Sequence, residues 1–469
     1  GASAAWIVVG VIWMGAVSDF SSLIMSVRSK GDSISKISGD EISKKMQLYF
    51  SIFLWISLIL VIAVFSIFAA KTFIEEPDAV LPSVGLIPLA VLVGWLLYVK
   101  QYSNAWVTGG GVIAVLLLLV WGKILPLSLP AFAGLSSQDL WIVLLLIYCF
   151  MASVLPVQIL LQPRDYLASF ILFGMIALGV AGVFVTRPDL QIPAVTQFRP
   201  SGWPQAGPLW PMLFVTIACG AISGFHALVS SGTTCKQIAS ETHACRIGYG
   251  GMLVEALVGI LVLICVSAGL NSESLRGLII QGGPISAFGQ GYQNITQPIL
   301  GGYGKTFAIL ALNAFILTTL DTAARITRYI TSELFGIKNK YAATGVVVAA
   351  SGALAFSGKW AILWPAFGAA NQLIAGMTLL VGSCWLLRRG KKSRIALFPA
   401  FFMILTTTAA FLYQIYRAVT AVNHGGVRTP DWGLAAVASF LVVLASLVLS
   451  ETVPVILSTR RQREGKNHA

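Results

Sequence analysis

Charge is scarce in this chain of 469 residues, because only 10% of them are Asp, Glu, Lys or Arg, whereas 57% are hydrophobic. A soluble protein carries roughly a quarter charged residues. The mean hydropathy is +0.83, and long runs such as 48–70 and 112–120 have almost no charge. The composition therefore excludes a soluble globular domain and predicts a polytopic membrane protein within a lipid bilayer.

Patterns for nucleic-acid binding, metal binding and catalysis are also missing. The net charge is +13, but the basic residues lie mostly in short loops, with no basic amphipathic or aromatic-interleaved patch, so we expect no nucleic-acid partner. The six cysteines form no CxxC motif and no metal-ligand spacing with His, and we interpret them as packing residues. Without a visible nucleophile–base pair, we expect neither an enzyme nor a cofactor.

Apolar runs of about 20 residues predict an all-α bundle of membrane helices in one domain, residues 1–469. The thirteen predicted spans are 2–27, 47–70, 79–98, 106–122, 139–161, 165–186, 208–227, 247–269, 307–333, 341–356, 361–387, 395–416 and 432–457. The segments 79–98 and 341–356 give the weakest signal. Since Gly1 already lies in an apolar run, without a signal peptide, we expect that earlier helices are absent from this sequence.

The distribution of basic residues predicts the orientation. If the loop 28–46 is cytoplasmic, alternate loops and the C-terminal tail hold most of the 31 lysines and arginines, which places the C-terminus in the cytoplasm. The two longest connections on the other side, 187–207 and 270–306, are rich in Pro or in Gly, Gln and Asn. We expect them to be either lids or ordered external caps, with plain solvated connectors as the alternative.

The stretch 211–234 starts as a membrane helix and then fills with Gly, Ser and Thr, with His226 as its one ionisable side chain. Backbone groups freed by a helix break must find partners inside the protein. We therefore predict a break over 220–234, at which the hydroxyls of the four residues Ser230, Ser231, Thr233 and Thr234 satisfy backbone groups or hold a small polar ligand. His226 is either a packed polar residue or a proton-coupling or substrate-binding group, since imidazole titrates near neutrality.

Four further ionisable residues lie in or beside apolar runs. Asp19 and Glu255 are intramembrane carboxylates, which are functional candidates by default, with an interfacial or structurally paired position as the alternative. Arg164 and Asp165 follow a helix-breaking proline. This adjacent pair predicts an internal salt bridge or a gate, with an ordinary helix start as the alternative.

The span 307–333 contains no Gly or Pro and should be a straight helix. Helical spacing places Asp321 and Arg325 one turn apart, as a possible ion pair, with Thr318 and Thr322 beside them. This stripe either packs against a neighbouring helix or binds a cation or proton. From the charge alternation, Asp321 is also our predicted partner for His226.

The segment WPAFGAANQL, 364–373, is another small-residue entry into a helix. It carries two adjacent amide side chains, Asn371 and Gln372. These amides are expected either to bind a ligand or to cap the helix opposite.

Several segments together resemble the carbon starvation protein A family. The matching stretches are GAVSDFSSL, QPRDYLASF, LFVTIACGAISGFHALVSSGTT, ETHACRIGYGGMLVE, LNAFILTTLDTAARITRYI and WPAFGAANQL. They occur in family order over about residues 1–375, which we expect to hold the transport core, whereas 376–469 holds C-terminal spans and a basic tail. One departure is Ser18, where the family often has His before the Asp.

The resemblance implies an inner-membrane secondary transporter with a core like that of the leucine transporter. Its implied substrates are short peptides or pyruvate, with a proton as the coupling ion and sodium as the alternative. Broken helices near the membrane midplane would then line the permeation site. A membrane sensor that binds the nutrient without moving it is the alternative function, although no soluble output domain is visible.

Overall fold

Helices form almost all of the computed structural model, which describes residues 1–132, 134–193, 198, 207–357, 360–420 and 430–467. In chain order the helices are α1 (Ala2–Arg28), α2 (Ile34–Glu41), α3 (Lys44–Glu75), α4 (Pro77–Val99), α5 (Asn104–Ile124), α6 (Ser137–Val154), α7 (Leu161–Thr186), α8 (Leu209–Leu213 continuing as Phe214–Thr216), α9 (Gly224–Gly232), α10 (Cys245–Ala268), α11 (Ser272–Leu300), α12 (Gly304–Phe335), α13 (Lys340–Ala355), α14 (Trp360–Arg388), α15 (Arg394–Val419) and α16 (Trp432–Asn467). The all-α polytopic prediction is confirmed.

The number of spans differs from the sequence-based count. Within the described residues, 11 helices are long and apolar enough to cross a membrane, so thirteen spans are not confirmed. The predicted span 208–227 is not one continuous helix, because it is interrupted after Thr216. The predicted span 341–356 corresponds to α13, which has only 16 residues.

The segment 270–306 is not a plain connector, because α11 occupies most of it. The Asn271 side chain accepts a hydrogen bond from the Ser274 backbone at 2.7 Å and starts the helix. Gly283 has a non-helical conformation, with a φ of 70°, and divides α11 into two helical segments joined by a kink. Tyr292 is buried and donates a hydrogen bond to the Met175 carbonyl on α7 at 2.9 Å. Tertiary packing therefore overrides a composition that by itself is typical of loops. Most of the other predicted loop, 187–207, lies outside the described residues.

The chain divides into two compact units, each built from separate stretches of sequence. Unit 1 comprises residues 1–58, 194–259 and 361–469, and unit 2 comprises residues 59–193 and 260–360. Unit 1 thus contains α1, α2, α8, α9 and α14–α16, and unit 2 contains α4–α7 and α11–α13. Helices α3 and α10 each contribute residues to both units.

Unit 1 contains the predicted helix break, although it lies earlier in the chain than the sequence indicates. Helix α8 ends at Thr216 and α9 begins at Gly224, so the break covers 217–223 instead of 220–234. The Ser and Thr residues after His226 that we assigned to the break are helical up to Gly232. Their hydroxyls can bond to carbonyls one turn back, and such side chains are compatible with a helix whose packing stabilises it.

Neighbouring side chains take up the backbone groups that the break exposes. The Trp6 indole donates to the Ile217 carbonyl at 3.0 Å, and the Gln372 amide donates to the Phe214 carbonyl at 2.5 Å. The Asn371 side-chain oxygen Oδ1 accepts from the Phe225 backbone N–H at 2.8 Å and caps the start of α9. Each of these groups would cost several kcal/mol, on the order of 2–7, if left unpaired away from water. The break is therefore stabilised by side chains of α1 and α14.

Helix α14 approaches both halves of the broken helix through glycine contacts. A Cβ atom at Gly368 would lie 2.1 Å from the Val215 carbonyl oxygen on α8. A Cβ atom at Gly224, the first residue of α9, would lie 2.2 Å from the Asn371 carbonyl oxygen. Both distances are too short for any side chain, so these two positions require glycine for the backbones to pack.

Candidate polar site at the broken helix

His226 lies in the first turn of α9 and contacts two carboxylates from two other helices. Its Nδ1 atom is 3.2 Å from Asp19 Oδ2 on α1. Its Nε2 atom is 3.3 Å from Glu255 Oε2 on α10. We call Asp19, His226 and Glu255 the imidazole cluster. It brings together three residues that the sequence singled out separately.

The imidazole cluster is mostly buried, but each of its side chains remains partly exposed. The side chains of His226, Asp19 and Glu255 are 19%, 7% and 22% exposed. Within the described residues, Asp19 Oδ1 and the neighbouring Ser18 hydroxyl are buried and have no hydrogen-bond partner. Because each imidazole nitrogen faces a carboxylate, a proton taken up at one nitrogen can leave from the other. The geometry is that of a short proton relay between two helices.

The amide pair on α14 holds the broken helix that carries His226. Besides capping α9, the Asn371 amide nitrogen donates to the Ser223 hydroxyl at 3.1 Å. Of the two alternatives weighed for Asn371 and Gln372, the structure shows backbone capping for both. The Gln372 carbonyl oxygen is buried without a partner among the described residues. Asn371 therefore positions the imidazole through the backbone of α9.

Of the hydroxyl residues that follow His226, the two serines are buried in α9 and the two threonines lie at the turn that ends it. Ser230 and Ser231 are buried in α9, and the Ser231 carbonyl accepts from the Ser26 hydroxyl of α1 at 3.0 Å. Thr233 terminates α9, and Thr234 begins a short 3-10 turn. They do not lie in the break itself, so their assignment to a ligand stays a prediction.

Asp321 belongs to a second polar cluster, in unit 2. The Arg164 Nη1 atom donates to both Asp321 Oδ2 and the Tyr148 hydroxyl, and the Tyr148 hydroxyl donates to Asp321 at 2.9 Å. The Arg164 Nη2 atom is 3.0 Å from Asp165 Oδ1. We call Tyr148, Arg164, Asp165 and Asp321 the guanidinium cluster. The side chains of Arg164 and Asp321 are both 0% exposed.

Two predicted pairings of Asp321 are corrected by this cluster. The ion pair with Arg325 is wrong, because Arg325 instead donates to the Ala152 and Leu155 carbonyls at 2.6 Å each, at the end of α6. The pairing with His226 is replaced by contacts of Asp321 with Arg164 and Tyr148. Both errors have one cause, since spacing along a helix does not determine which distant helix supplies a partner. Helix α12 is otherwise continuous, as predicted.

The remaining residues of the predicted stripe on α12 have local roles. The Thr318 hydroxyl donates to the Ala314 carbonyl of its own helix at 2.8 Å and lies beside the Asp165 carboxyl. Thr322 is buried. Tyr148 was missed by sequence reasoning, although a tyrosine inside an apolar helix is a signal, because a buried hydroxyl needs a hydrogen-bond partner.

Comparison with known proteins identifies the family. A family model described as Carbon starvation protein CstA matches residues 2–276 and 268–410. The chain belongs to the carbon starvation protein CstA family. The peptide transporter CstA of Campylobacter jejuni is 33% identical, over 89% of this chain and 70% of the relative. The CstA of Bacillus subtilis is 30% identical over 94% and 82%. The pyruvate/proton symporter BtsT of Escherichia coli is 28% identical over 88% and 70%.

Solved structures of membrane transporters are also similar to this CstA-family chain. The Eremococcus coleocola manganese transporter gives a TM-score of 0.46 at 12% identity, covering 95% of both chains. MhsT in complex with L-phenylalanine gives a TM-score of 0.40 at 15% identity, covering 86% of this chain and 99% of that one.

Family membership and helical architecture together establish the class of protein. The chain is a multi-pass membrane protein and a secondary transporter of small molecules, not an enzyme. This result agrees with the function expected from the sequence. The sensor alternative receives no support from these relatives.

Proposed function

We propose that this CstA-family transporter takes up a small organic carbon nutrient, pyruvate or a short peptide, together with protons. The observation that carries the proposal is the imidazole cluster, in which His226 lies between carboxylates of two other helices beside a helix break. Transporters commonly build their substrate and ion sites at discontinuous helices. The names of the relatives, peptide transporters and a pyruvate/proton symporter, support both substrate classes and the proton.

The imidazole cluster supports a specific way of coupling proton movement to transport. Asp19 and Glu255 lie on α1 and α10, and His226 is the group in contact with both. A proton that passes between the two imidazole nitrogens changes the charge on each carboxylate in turn, and therefore the attraction between three separate helices. Movement of the proton and rearrangement of these helices are thereby linked.

We further propose that the transporter lies in a bacterial cytoplasmic membrane with its C-terminus in the cytoplasm. The distribution of basic residues over the short loops supports this orientation. Its transport core is proposed to resemble that of the leucine transporter and to lie within about residues 1–375. The gating role expected for Arg164 and Asp165 is likewise a proposal, supported by their contact at 3.0 Å.

The test is uptake into proteoliposomes under an inward-directed proton gradient, with labelled pyruvate and a labelled dipeptide in separate and competing assays. We expect one substrate class to accumulate, and a protonophore to abolish the accumulation. His226→Gln removes the titrating group and should lower gradient-driven uptake by about 100-fold, a typical value for loss of a proton-transfer group.

The matched control is His243→Gln, since His243 is exposed directly before α10 and its substitution should leave uptake unchanged. Equal uptake by the His226→Gln and wild-type proteins would contradict the role of the imidazole cluster. Accumulation that survives the protonophore would contradict proton coupling.

A further inference from the structure

An apolar groove in unit 1 ends in two arginines. The groove has a volume of about 780 Å³ and lies between α15 and α16, with α14 contributing to its floor. Arg394 is the first residue of α15, and Arg460 lies in the last part of α16. Both guanidinium groups therefore line the same end of a groove whose other lining residues, apart from Thr408, are apolar.

The walls of the groove follow helical spacing on both helices. On α15 the exposed side chains Phe398, Phe401 and Leu405 line it, and on α16 the exposed side chains Val453 and Leu457 do. Such open apolar side chains are suited to contact hydrocarbon. The volume lies within the range of about 300–1,000 Å³ that is usual for ligand sites.

The groove has the length of a lipid chain. From Arg394 to Thr408 it follows 14 residues of helix, or about 21 Å at 1.5 Å per residue. One leaflet of a bilayer has a hydrocarbon depth of about 15 Å, half of the usual core. A groove with cations at one end therefore extends from the level of the headgroups through one leaflet.

Charge at only one end of the groove selects for an amphiphile with a negative headgroup. Within the described side chains, neither Arg394 nor Arg460 forms an ion pair with a carboxylate. The backbone at the start of α15 adds to the attraction, because the helix has no side-chain cap there and its N-terminus attracts anions. A neutral hydrocarbon would leave these charges without a partner, and a zwitterionic lipid would bring a cation of its own next to them.

We propose that this groove is a binding site for an anionic phospholipid, whose acyl chains lie between α15 and α16 and whose phosphate contacts Arg394 and Arg460. The site is separate from the imidazole cluster and from the guanidinium cluster. It would bind a lipid of the surrounding membrane and not a transported substrate. Basic pockets between membrane helices are well suited to such headgroups.

Native mass spectrometry of the purified 469-residue chain tests the proposal. Dioleoylphosphatidylglycerol and dioleoylphosphatidylcholine have the same acyl chains and differ in headgroup charge. We expect the anionic lipid to be retained more tightly. The double variant Arg394→Gln/Arg460→Gln should weaken its retention by roughly fivefold per arginine, about 25-fold in all. The zwitterionic lipid should be weakened much less, because its choline cation already offsets the attraction of its phosphate.

Two control variants separate the groove from general surface charge. Lys391→Gln/Lys392→Gln removes the same charge next to α15 but outside the groove, and should leave retention of the anionic lipid unchanged. Arg394→Lys/Arg460→Lys keeps the charge and should preserve most of the binding. Leu405→Trp narrows the apolar part and should weaken both lipids.

Several results would overturn the proposal. One is equal retention of the two lipids by the wild-type protein. Another is that Lys391→Gln/Lys392→Gln weakens retention of the anionic lipid as much as Arg394→Gln/Arg460→Gln does. A dimer that excludes lipid and persists in the Arg394→Gln/Arg460→Gln variant would instead assign the groove to a second copy of the chain.

Discussion

The two polar clusters differ in how far their central ionisable side chains are buried. In the guanidinium cluster, Arg164 and Asp321 are wholly buried and in direct contact. In the imidazole cluster, His226 lies at 3.2 and 3.3 Å from carboxylates, and all three side chains retain some exposure. A sealed ion pair has its charges fixed by its partners, whereas a partly accessible imidazole can exchange protons. We therefore expect loss of the Arg164–Asp321 pair to act mainly on stability, and changes in the imidazole cluster to act mainly on proton-driven uptake.

The largest effect on stability is expected for Arg164→Gln, which leaves Asp321 buried without its cation. We expect a loss of about 3–5 kcal/mol in stability, the usual effect of removing one partner of a buried pair. The measurement is the midpoint of thermal unfolding in detergent. Arg187→Gln, at the exposed end of α7, is the control and should change little. The double variant Arg164→Gln/Asp321→Asn should recover part of the loss, and a fully stable single variant would show that the pair is dispensable.

A second change tests whether the broken helix depends on backbone contact. Gly368→Ala places a Cβ atom against the Val215 carbonyl, which should cost about 1–3 kcal/mol through overpacking and lower uptake as α8 shifts. Gly345→Ala is the matched control, since no atom lies within 4 Å of its added Cβ, and it should be neutral or slightly stabilising. Thermal unfolding and proteoliposome uptake of the two variants give the answer. Equal behaviour would rule out tight packing at Gly368.

A third change concerns the cap that positions His226. Asn371→Ala removes the acceptor for the Phe225 backbone and should cost about 1–2 kcal/mol, together with a loss of uptake. Asn339→Ala removes a comparable cap from α13, where the Asn339 side chain accepts from Tyr341 at 2.9 Å. That control should lose stability and retain uptake per folded protein. Retention of uptake by the Asn371→Ala variant would show that the cap does not position the imidazole.

The smallest effect on stability is expected for Glu255→Gln, which sharpens the contrast between the clusters. Because Glu255 is partly exposed, its loss should change stability by less than about 1 kcal/mol. Uptake driven by a proton gradient should nevertheless fall, since the relay loses one of its ends. The measurement pairs thermal unfolding with uptake at two external pH values, and Glu273→Gln in the exposed first turn of α11 serves as control. A large stability loss without a transport defect would reverse the roles assigned to the two clusters.

The sequence predicted the helices better than it predicted which side chains contact one another. Long apolar runs specify membrane helices, and the Gly, Ser and Thr content around His226 correctly indicated a helix break. The break itself lies at 217–223, because the Ser and Thr residues after Gly224 can bond within a helix and are stabilised by packing. Helix α11 was missed for the related reason that its Gly, Gln and Asn residues are helical only with α7 and α12 beside them.

Contacts between distant segments were beyond the reach of the sequence. Asp19, His226 and Glu255 were each identified as candidates, but they are separated by 207 and 29 positions in the chain. Asp321 has a plausible partner one turn away, Arg325, whose guanidinium instead caps the end of α6. A pattern along one helix identifies which side chains share a face, and only the tertiary fold determines what that face contacts.

The contacts of α14 with both halves of the broken helix have a mechanical consequence. Gly368 adjoins α8, and Asn371 caps α9 three residues further along the same helix. Helix α14 therefore holds both half-helices in place, and they cannot hinge freely at 217–223. A conformational change in unit 1 that preserves these contacts must move α8, α9 and α14 together as one rigid group. His226 lies on α9 and is displaced with this group.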